Sequence, residues 1–402
     1  MNIAAIICEY NPFHRGHRQH IQAVRKNGAD AVACIMSGQF VQRGEPAILD
    51  KFARACTAVY GGADLIIELP HAFAMAAAPR FARAGVHLAA ALGAGILSFG
   101  AECADPAALI RTASLCTNAA TKERLHAYLA QGFDYPRALS AAVCASDPQA
   151  AALLSQPNTM LAVEYLQAMA DYPGIRPLPV PRTGAGHDAD YVGTTASASF
   201  IRRILSAGGD ARPFLTPESE SAYRCEQDAG RAPVTTAALE CAILAQLRRM
   251  TPGDFAGLPD VSEGLENRLF RAAQNAPTLA GFCAQVKTKR YTHARIRRIA
   301  MAAYTGLQAA HQTVLPSYIR ILALNRTGRA VLAQIPGNLS VVAKPASAWR
   351  LRDADSELFR LETQADLLWA LGIPESSARG GNPRQRSPVY LDICHETANN
   401  RP

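Results

Sequence analysis

The stretch Ile3-Ala-Ala-Ile-Ile-Cys-Glu-Tyr-Asn-Pro-Phe-His-Arg-Gly-His17 decides how the rest of the chain is read. Ile3 to Cys8 is an apolar run of the length of a buried parallel strand. Pro12 cannot donate to a ladder and holds Asn11 in extended conformations, so the strand gives way to a tight turn. Beyond it, Ile21 and Val24 fall at helical spacing among Gln19, Gln22 and Arg25. The pattern predicts a strand, a turn and a helix whose first turn carries His14 and His17. Unpaired N–H groups at a helix start attract anions. Gly16 lets a phosphate approach the backbone, and two imidazoles can donate to phosphoryl oxygens. This is the outline of a nucleotide-handling site. The plainer reading is that one histidine caps the helix and the other packs.

Outward from this unit, Ala31 to Met36 reads as a second buried strand, followed by a polar, Gly-containing loop from Ser37 to Pro46. Asp50 can cap a helix running to Tyr60. Leu65 to Leu69 is a third strand, closed by Pro70, and a helix from Pro79 to Leu92 leads to a fourth, Ile96 to Phe99, ending at Gly100. Strands alternating with helices predict a Rossmann-like α/β fold with a parallel sheet. Ligands of such sheets bind beyond the strand carboxyl ends, the edge shared by Cys8–His17, Ser37–Pro46, Glu68 and Gly100.

Residues 105 to 155 read as helical, a helix follows from Thr159 to Ala170, and Arg176 to Val180 makes a fifth strand. Thr183 to Gly193 is polar and Gly-rich and reads as a mobile loop. Ser197-Ala-Ser-Phe-Ile-Arg202 opens another helix. Its hydroxyls and N–H groups can hold a phosphate with Arg202 beside it, or serve only as an N-cap with a surface arginine. Gly208-Gly209-Asp210, Pro213 and Pro217 mark a boundary between a catalytic domain over 1–208 and a mostly helical domain over 209–402. In the second half, Thr235–Arg248, Gly264–Gln274, Arg290–Tyr304, Pro316–Leu324 and Asp355–Leu371 read as helices.

The net charge of +8 is informative once located: Asn267 to Arg352 holds fourteen lysines and arginines and no aspartate or glutamate. The rest of the chain is therefore net acidic, and segregated positive charge is the footprint of a polyanion-binding surface. Lys287, Lys289, Arg290, Arg295, Arg297 and Arg298 are its densest cluster and the candidate RNA contacts. Tyr291 among them can stack on a base or pack in the core; spacing does not decide. Ten cysteines without a C-x-x-C pair suggest neither disulfides nor a zinc site, and so a reducing cytoplasm. Glu9 and Asn11 interrupt the first apolar run too early for a signal peptide, and Val86 to Phe99 falls short of a membrane span. A soluble protein without a membrane partner is expected. Asp64 and Glu68 are lone carboxylates without ligand spacing, so they are given structural roles and no metal ligand is assigned.

The opening stretch resembles the nucleotidylyltransferase superfamily with its H-x-G-H motif and, more narrowly, the tRNA(Met) cytidine acetate ligase family. The likeness continues in Met36-Ser-Gly-Gln-Phe-Val-Gln-Arg-Gly-Glu-Pro46, Gly62-Ala-Asp-Leu-Ile-Ile-Glu-Leu-Pro70, Phe99-Gly100, Glu263-Gly-Leu-Glu-Asn-Arg268 and Lys287-Thr-Lys-Arg-Tyr-Thr-His-Ala-Arg-Ile-Arg-Arg298. Ser199 stands where the family leads one to expect threonine, and the last thirty or so residues match poorly. The resemblance implies that acetate and ATP give acetyl-adenylate, which acetylates the N4 amine of the wobble cytidine of elongator tRNA(Met). It implies ATP binding by Ile7, Cys8, Glu9, Tyr10, Asn11, Pro12, Phe13, His14, Arg15, Gly16, His17, Arg18, Gln19 and His20, with Gly100, Asn158 and Arg182. Ser197 and Ser199 join this set as phosphate contacts, and His14, His17 and Arg202 are the expected catalytic groups, stabilising charge rather than moving protons. Mg²⁺ is the expected companion of the ATP; no obligate protein partner is implied. Two rivals fit the same residues: a nucleotidylyltransferase acting on a small metabolite without RNA, and a nucleotide-responsive RNA-binding protein without turnover.

Overall fold

The computed structural model describes residues 1–182, 191–192, 195–262, 264–335, 339–380, 386–393 and 395. Its first unit is the expected one: β1 (Ile3–Cys8), a turn, and α1 (Arg15–Lys26), which buries Ile21 and Val24. β2 (Ala31–Ser37) is buried throughout. A short hairpin pairs Phe40–Val41 with Glu45–Pro46, and α2 (Lys51–Tyr60) starts at Asp50, whose carboxylate accepts from the Phe52 N–H. β3 (Leu65–Leu69), α3 (Ala78–Ala91) and β4 (Ile96–Ala101) follow. Helices between residues 106 and 153 close a separate small core against α4 (Pro157–Met169), which leads to β5 (Arg176–Pro181). Of the expected mobile loop from Thr183 to Gly193, all but Tyr191–Val192 lies outside the described residues. α5 (Ala198–Ser206) comes next. Beyond a further run of helices lie α6 (His293–Thr305), β6 (Tyr318–Leu324), β7 (Ser340–Val342), α7 (Asp353–Ala370) and β8 (Val389–Tyr390).

The sheet order is β7-β6-β3-β2-β1-β4-β5, with β8 beside β6. β5, β4, β1, β2 and β3 are mutually parallel, as the alternating pattern predicts. Successive side chains of a strand point to opposite faces. Ile3 and Ala5 accordingly join the core that also holds α3, while Ala4 and Ile6 join the core under α1 and α2.

One expected helix is a strand. Pro316–Leu324 reads as helical, but Tyr318–Leu324 pairs antiparallel with β3, Leu324 opposite Leu65 and Ile321 opposite Ile67. Three strands from beyond residue 208 thus enter the sheet, which crosses the expected domain boundary. The reason is Arg320, which breaks the apolar run and hides its character as a buried strand. Its guanidinium lies 3.3 Å from carboxylate oxygens of Glu68, Glu362 and Asp366. Lys51 joins them, with Nζ 2.9 Å from Glu68 and 2.6 Å from Asp366. Burial and the charge of Glu68 raise the Glu362 pKa, and Tyr318 donates to Glu362. Buried charge survives only when paired in this way. Together with Trp369, whose indole N–H donates to Ala47 O at 2.7 Å, the cluster fastens α7 to the loops at the strand carboxyl ends. Asp64 is structural too, accepting from Arg25, the Val32 N–H and Asn325.

Candidate active site

The β1–α1 turn is set by packing from beneath. Tyr10 adopts φ +45°, unusual for a side-chain-bearing residue, and its hydroxyl meets Cys34 Sγ at 3.4 Å. The Asn11–Pro12 peptide is cis, and Asn11 Oδ1 accepts from the Ile48 N–H at 2.9 Å. Phe13 packs on Gly61, where a Cβ would lie 2.2 Å from its ring. Arg54, fully buried in α2, donates to the carbonyls of Glu9, Ser37, Gly38 and Leu49, tying the loops after β1 and β2 together.

On this platform His14 and His17 cap the helix reciprocally. His14 Nδ1 accepts from the Gly16 N–H at 3.1 Å, and His17 Nδ1 accepts from the His14 N–H at 3.3 Å. The rings stack with centroids 3.6 Å apart. An imidazole that accepts at Nδ1 carries its proton on Nε2. Both histidines are therefore Nε2–H donors, and among the described residues neither Nε2 has a protein acceptor. Burial, then Arg182 and Arg202, lowers His14 to about 3; burial, then His14, Arg182 and His20, lowers His17 well below the ordinary imidazole range. Both are neutral at pH 7. His20, one turn on, is lowered to about 4 by burial and Arg182, and its Nε2 meets Ser98 Oγ at 2.8 Å. The Ser98 hydroxyl donates to Leu178 O, so His20 donates to Ser98.

Gly100, Asn158 and Arg182 form the opposite wall. Asn158 donates to Glu102 at 2.6 Å and accepts from Arg182 at 2.9 Å; a Cβ on Gly100 would sit 3.3 Å from the Arg182 side chain. Glu102 also accepts from Thr159 N–H and Oγ–H at the start of α4; these bonds overcome its burial and lower its pKa. Arg202 closes a third side, donating to Asn11 O at 3.0 Å and to Ser199 Oγ at 3.3 Å. Ser197 is the N-cap of α5, its Oγ accepting from the Phe200 N–H. Beside Arg202 stands Glu45, which also pairs with Arg297 of α6.

Several other side chains of the expected ATP set are engaged within the fold. Tyr10 and Phe13 are core, Cys8 and Ile7 pack against it, and Gln19 is exposed. Arg15 donates to Leu215 O and Arg18 pairs with Glu218, so both hold the chain after α5. The basic cluster divides as well. Lys287, Lys289 and Arg290 are exposed, whereas Arg298 and Arg295 are engaged with Asp260 through its carboxylate and carbonyl. Tyr291 is buried, with the Arg295 guanidinium 5.0 Å from its ring centre. Sequence reasoning missed Arg54, Ser98, Glu102 and Glu45. Glu45 lies in the run from Met36 to Pro46 that carries the family resemblance, whereas Arg54 and Ser98 lie inside the expected Asp50–Tyr60 helix and Ile96–Phe99 strand, where nothing in the local pattern marks them.

The geometry suits a nucleoside triphosphate: neutral donors and a helix start face fixed guanidiniums at a strand-end crevice. Among the described residues no group of three or more His, Cys, Asp or Glu could hold a metal ion. No helix of the described residues is long and apolar enough to cross a membrane.

Fold and site are those of a nucleotide-activating α/β enzyme, and the family model described as HIGH Nucleotidyl Transferase matches residues 1–383. The tRNA(Met) cytidine acetate ligase of Alkaliphilus metalliredigens is 34% identical over 97% of this chain and 99% of its own. That of Syntrophotalea carbinolica is 38% identical over 83% and 82%. Thermotoga maritima TmcAL superposes with a TM-score of 0.93 at 29% identity, covering 98% of this chain and all of its own; its form bound with alpha-thio ATP gives 0.91. The chain belongs to the HIGH nucleotidyl transferases and, among them, to the tRNA(Met) cytidine acetate ligase family.

Proposed function

We propose that this chain activates acetate with ATP and transfers the acetyl group to the N4 amine of the wobble cytidine of elongator tRNA(Met), in the cytoplasm. The observation that carries the reading is the His14–His17 pair, whose reciprocal capping leaves two neutral Nε2–H donors at the strand-end crevice. Acetate is ionised at neutral pH and needs no general base. Its oxygen attacks the α-phosphorus, and pyrophosphate leaves. The barrier is charge on the phosphoryl oxygens, which prepositioned donors stabilise without reorganising. Neutral histidines suit this task because they donate at every pH the enzyme meets. Arg182 and Arg202 supply fixed charge on either side, and Gly16 and Gly100 leave room at the backbone. Mg²⁺, arriving with ATP, would neutralise further phosphate charge. In the second step the cytidine amine attacks the acetyl carbon, AMP departs, and the amine loses its proton.

The exposed Lys287, Lys289 and Arg290 are the favoured RNA contacts, presented by the helical region between residues 217 and 305. The test is purified protein with ATP, acetate and tRNA. Acetate-dependent exchange of labelled pyrophosphate into ATP, followed by acetylated tRNA, is expected. Absence of exchange rejects the reading; exchange with no tRNA product favours the small-metabolite rival.

A further inference from the structure

Glu45 stands between the two regions that the proposed reaction must join. Its Oε2 lies 3.4 Å from Nη2 of Arg202, which itself donates to Asn11 O; its Oε1 lies 3.2 Å from Nη1 of Arg297 on α6. The hairpin carrying Glu45 is pressed onto that helix. Gly44 has φ +71°, and a Cβ there would fall 2.5 Å from the backbone nitrogen of Arg298. Arg43 and Glu9 complete the group, since Glu9, Glu45, Arg202 and Arg297 all act on the Arg43 guanidinium. Three guanidiniums thus face two carboxylates. Arg297 is the more loosely held partner of Glu45: its side chain is 37% exposed against 17% for Arg202, and its Nε has no hydrogen-bond acceptor among the described residues.

We infer that this group is a phosphate-exchange site, at which a phosphodiester of the substrate RNA replaces Glu45 on Arg297 while Glu45 stays on Arg202. The inference rests on the RNA-acetylation reading. A phosphodiester carries the same single charge as the carboxylate and offers two oxygens to a guanidinium, so the exchange leaves the local charge balance at Arg297 unchanged. Glu45 is then a positioning residue with two opposed effects. It orients Arg202 beside the crevice, and it competes with RNA for Arg297.

The test is Glu45→Gln, which keeps the size and removes the charge. tRNA should bind severalfold more tightly at low salt, with the gain fading as salt rises. Acetate-dependent pyrophosphate exchange without RNA should fall about tenfold, the scale of one charged hydrogen bond. A merely structural Glu45 would weaken both; unchanged or weaker tRNA binding overturns the inference. In an Arg297→Ala background, Glu45→Gln should no longer tighten binding, and a persisting gain also overturns it. A wild-type protein that neither exchanges pyrophosphate with acetate nor binds tRNA would reject the earlier reading. Competent wild type with no gain in Glu45→Gln rejects only this inference.

Discussion

His14 and His17 fix each other: each ring accepts a backbone N–H of the same helical turn through Nδ1, and the two rings stack 3.6 Å apart. The capping function and the proposed phosphate-donating function thus occupy opposite nitrogens of the same side chains. Replacing His17 with Ala removes one donor and leaves the His14 N–H without its acceptor. Acetate-dependent pyrophosphate exchange should fall roughly 10²–10³-fold, as on loss of a preorganised donor. The tRNA dissociation constant, measured by filter binding, should stay within about twofold, because the change lies outside the phosphate-neutralising cluster. Exchange that survives would make His17 a cap alone.

The buried histidines set an acid limit on stability. His14 and His71 are lowered to about 3 and His20 to about 4, burial being the first cause in each. The unfolded chain protonates near the ordinary value of about 6.5, so it takes up protons before the folded state does. Their contribution to stability is fully present well above pH 6.5 and is lost progressively as pH falls through 6.5 toward about 3. The urea midpoint should drop between pH 7 and 5 and hold steady between 7 and 8. The pyrophosphate-exchange rate should show no histidine limb near pH 6.5, because the folded groups titrate far below it.

The basic stretch should separate into binding and structural residues. Changing Lys287, Lys289 and Arg290 together to Ala should flatten the salt dependence of tRNA binding by about two to three in slope. Thermal stability should hardly move, since all three are exposed. Arg298→Ala should instead destabilise by about 1–3 kcal/mol, because Asp260 loses a half-buried partner. Equal melting temperatures for the two variants would contradict this division.

Arg54 is expected to matter although its side chain is fully buried. Arg54→Met strips donors from four loop carbonyls, and denaturant titration should show a loss of at least about 3 kcal/mol. Arg54→Lys cannot restore the fork, since an ammonium is a point donor. It should fold, with pyrophosphate exchange still depressed because the loop at Glu9 is no longer held.

By itself the sequence determined what is local. The strand-to-helix unit at Ile3–Lys26, the Asp50 and Ser197 caps and the five parallel strands follow from apolar runs, prolines and capping residues, whose effects reach only a turn or two. The H-x-G-H stretch could be read as a phosphate cradle because all its parts lie within one turn. Tertiary structure alone decided what depends on distant partners. Tyr318–Leu324 is a strand because Glu68, Glu362 and Asp366 neutralise Arg320, and Glu362 and Asp366 lie more than forty residues away. Arg297 and Arg298 look alike in the sequence, yet one meets Glu45 and the other Asp260. A charged side chain's role is set by the counter-charge that folding brings to it, and that pairing has no signature along the chain.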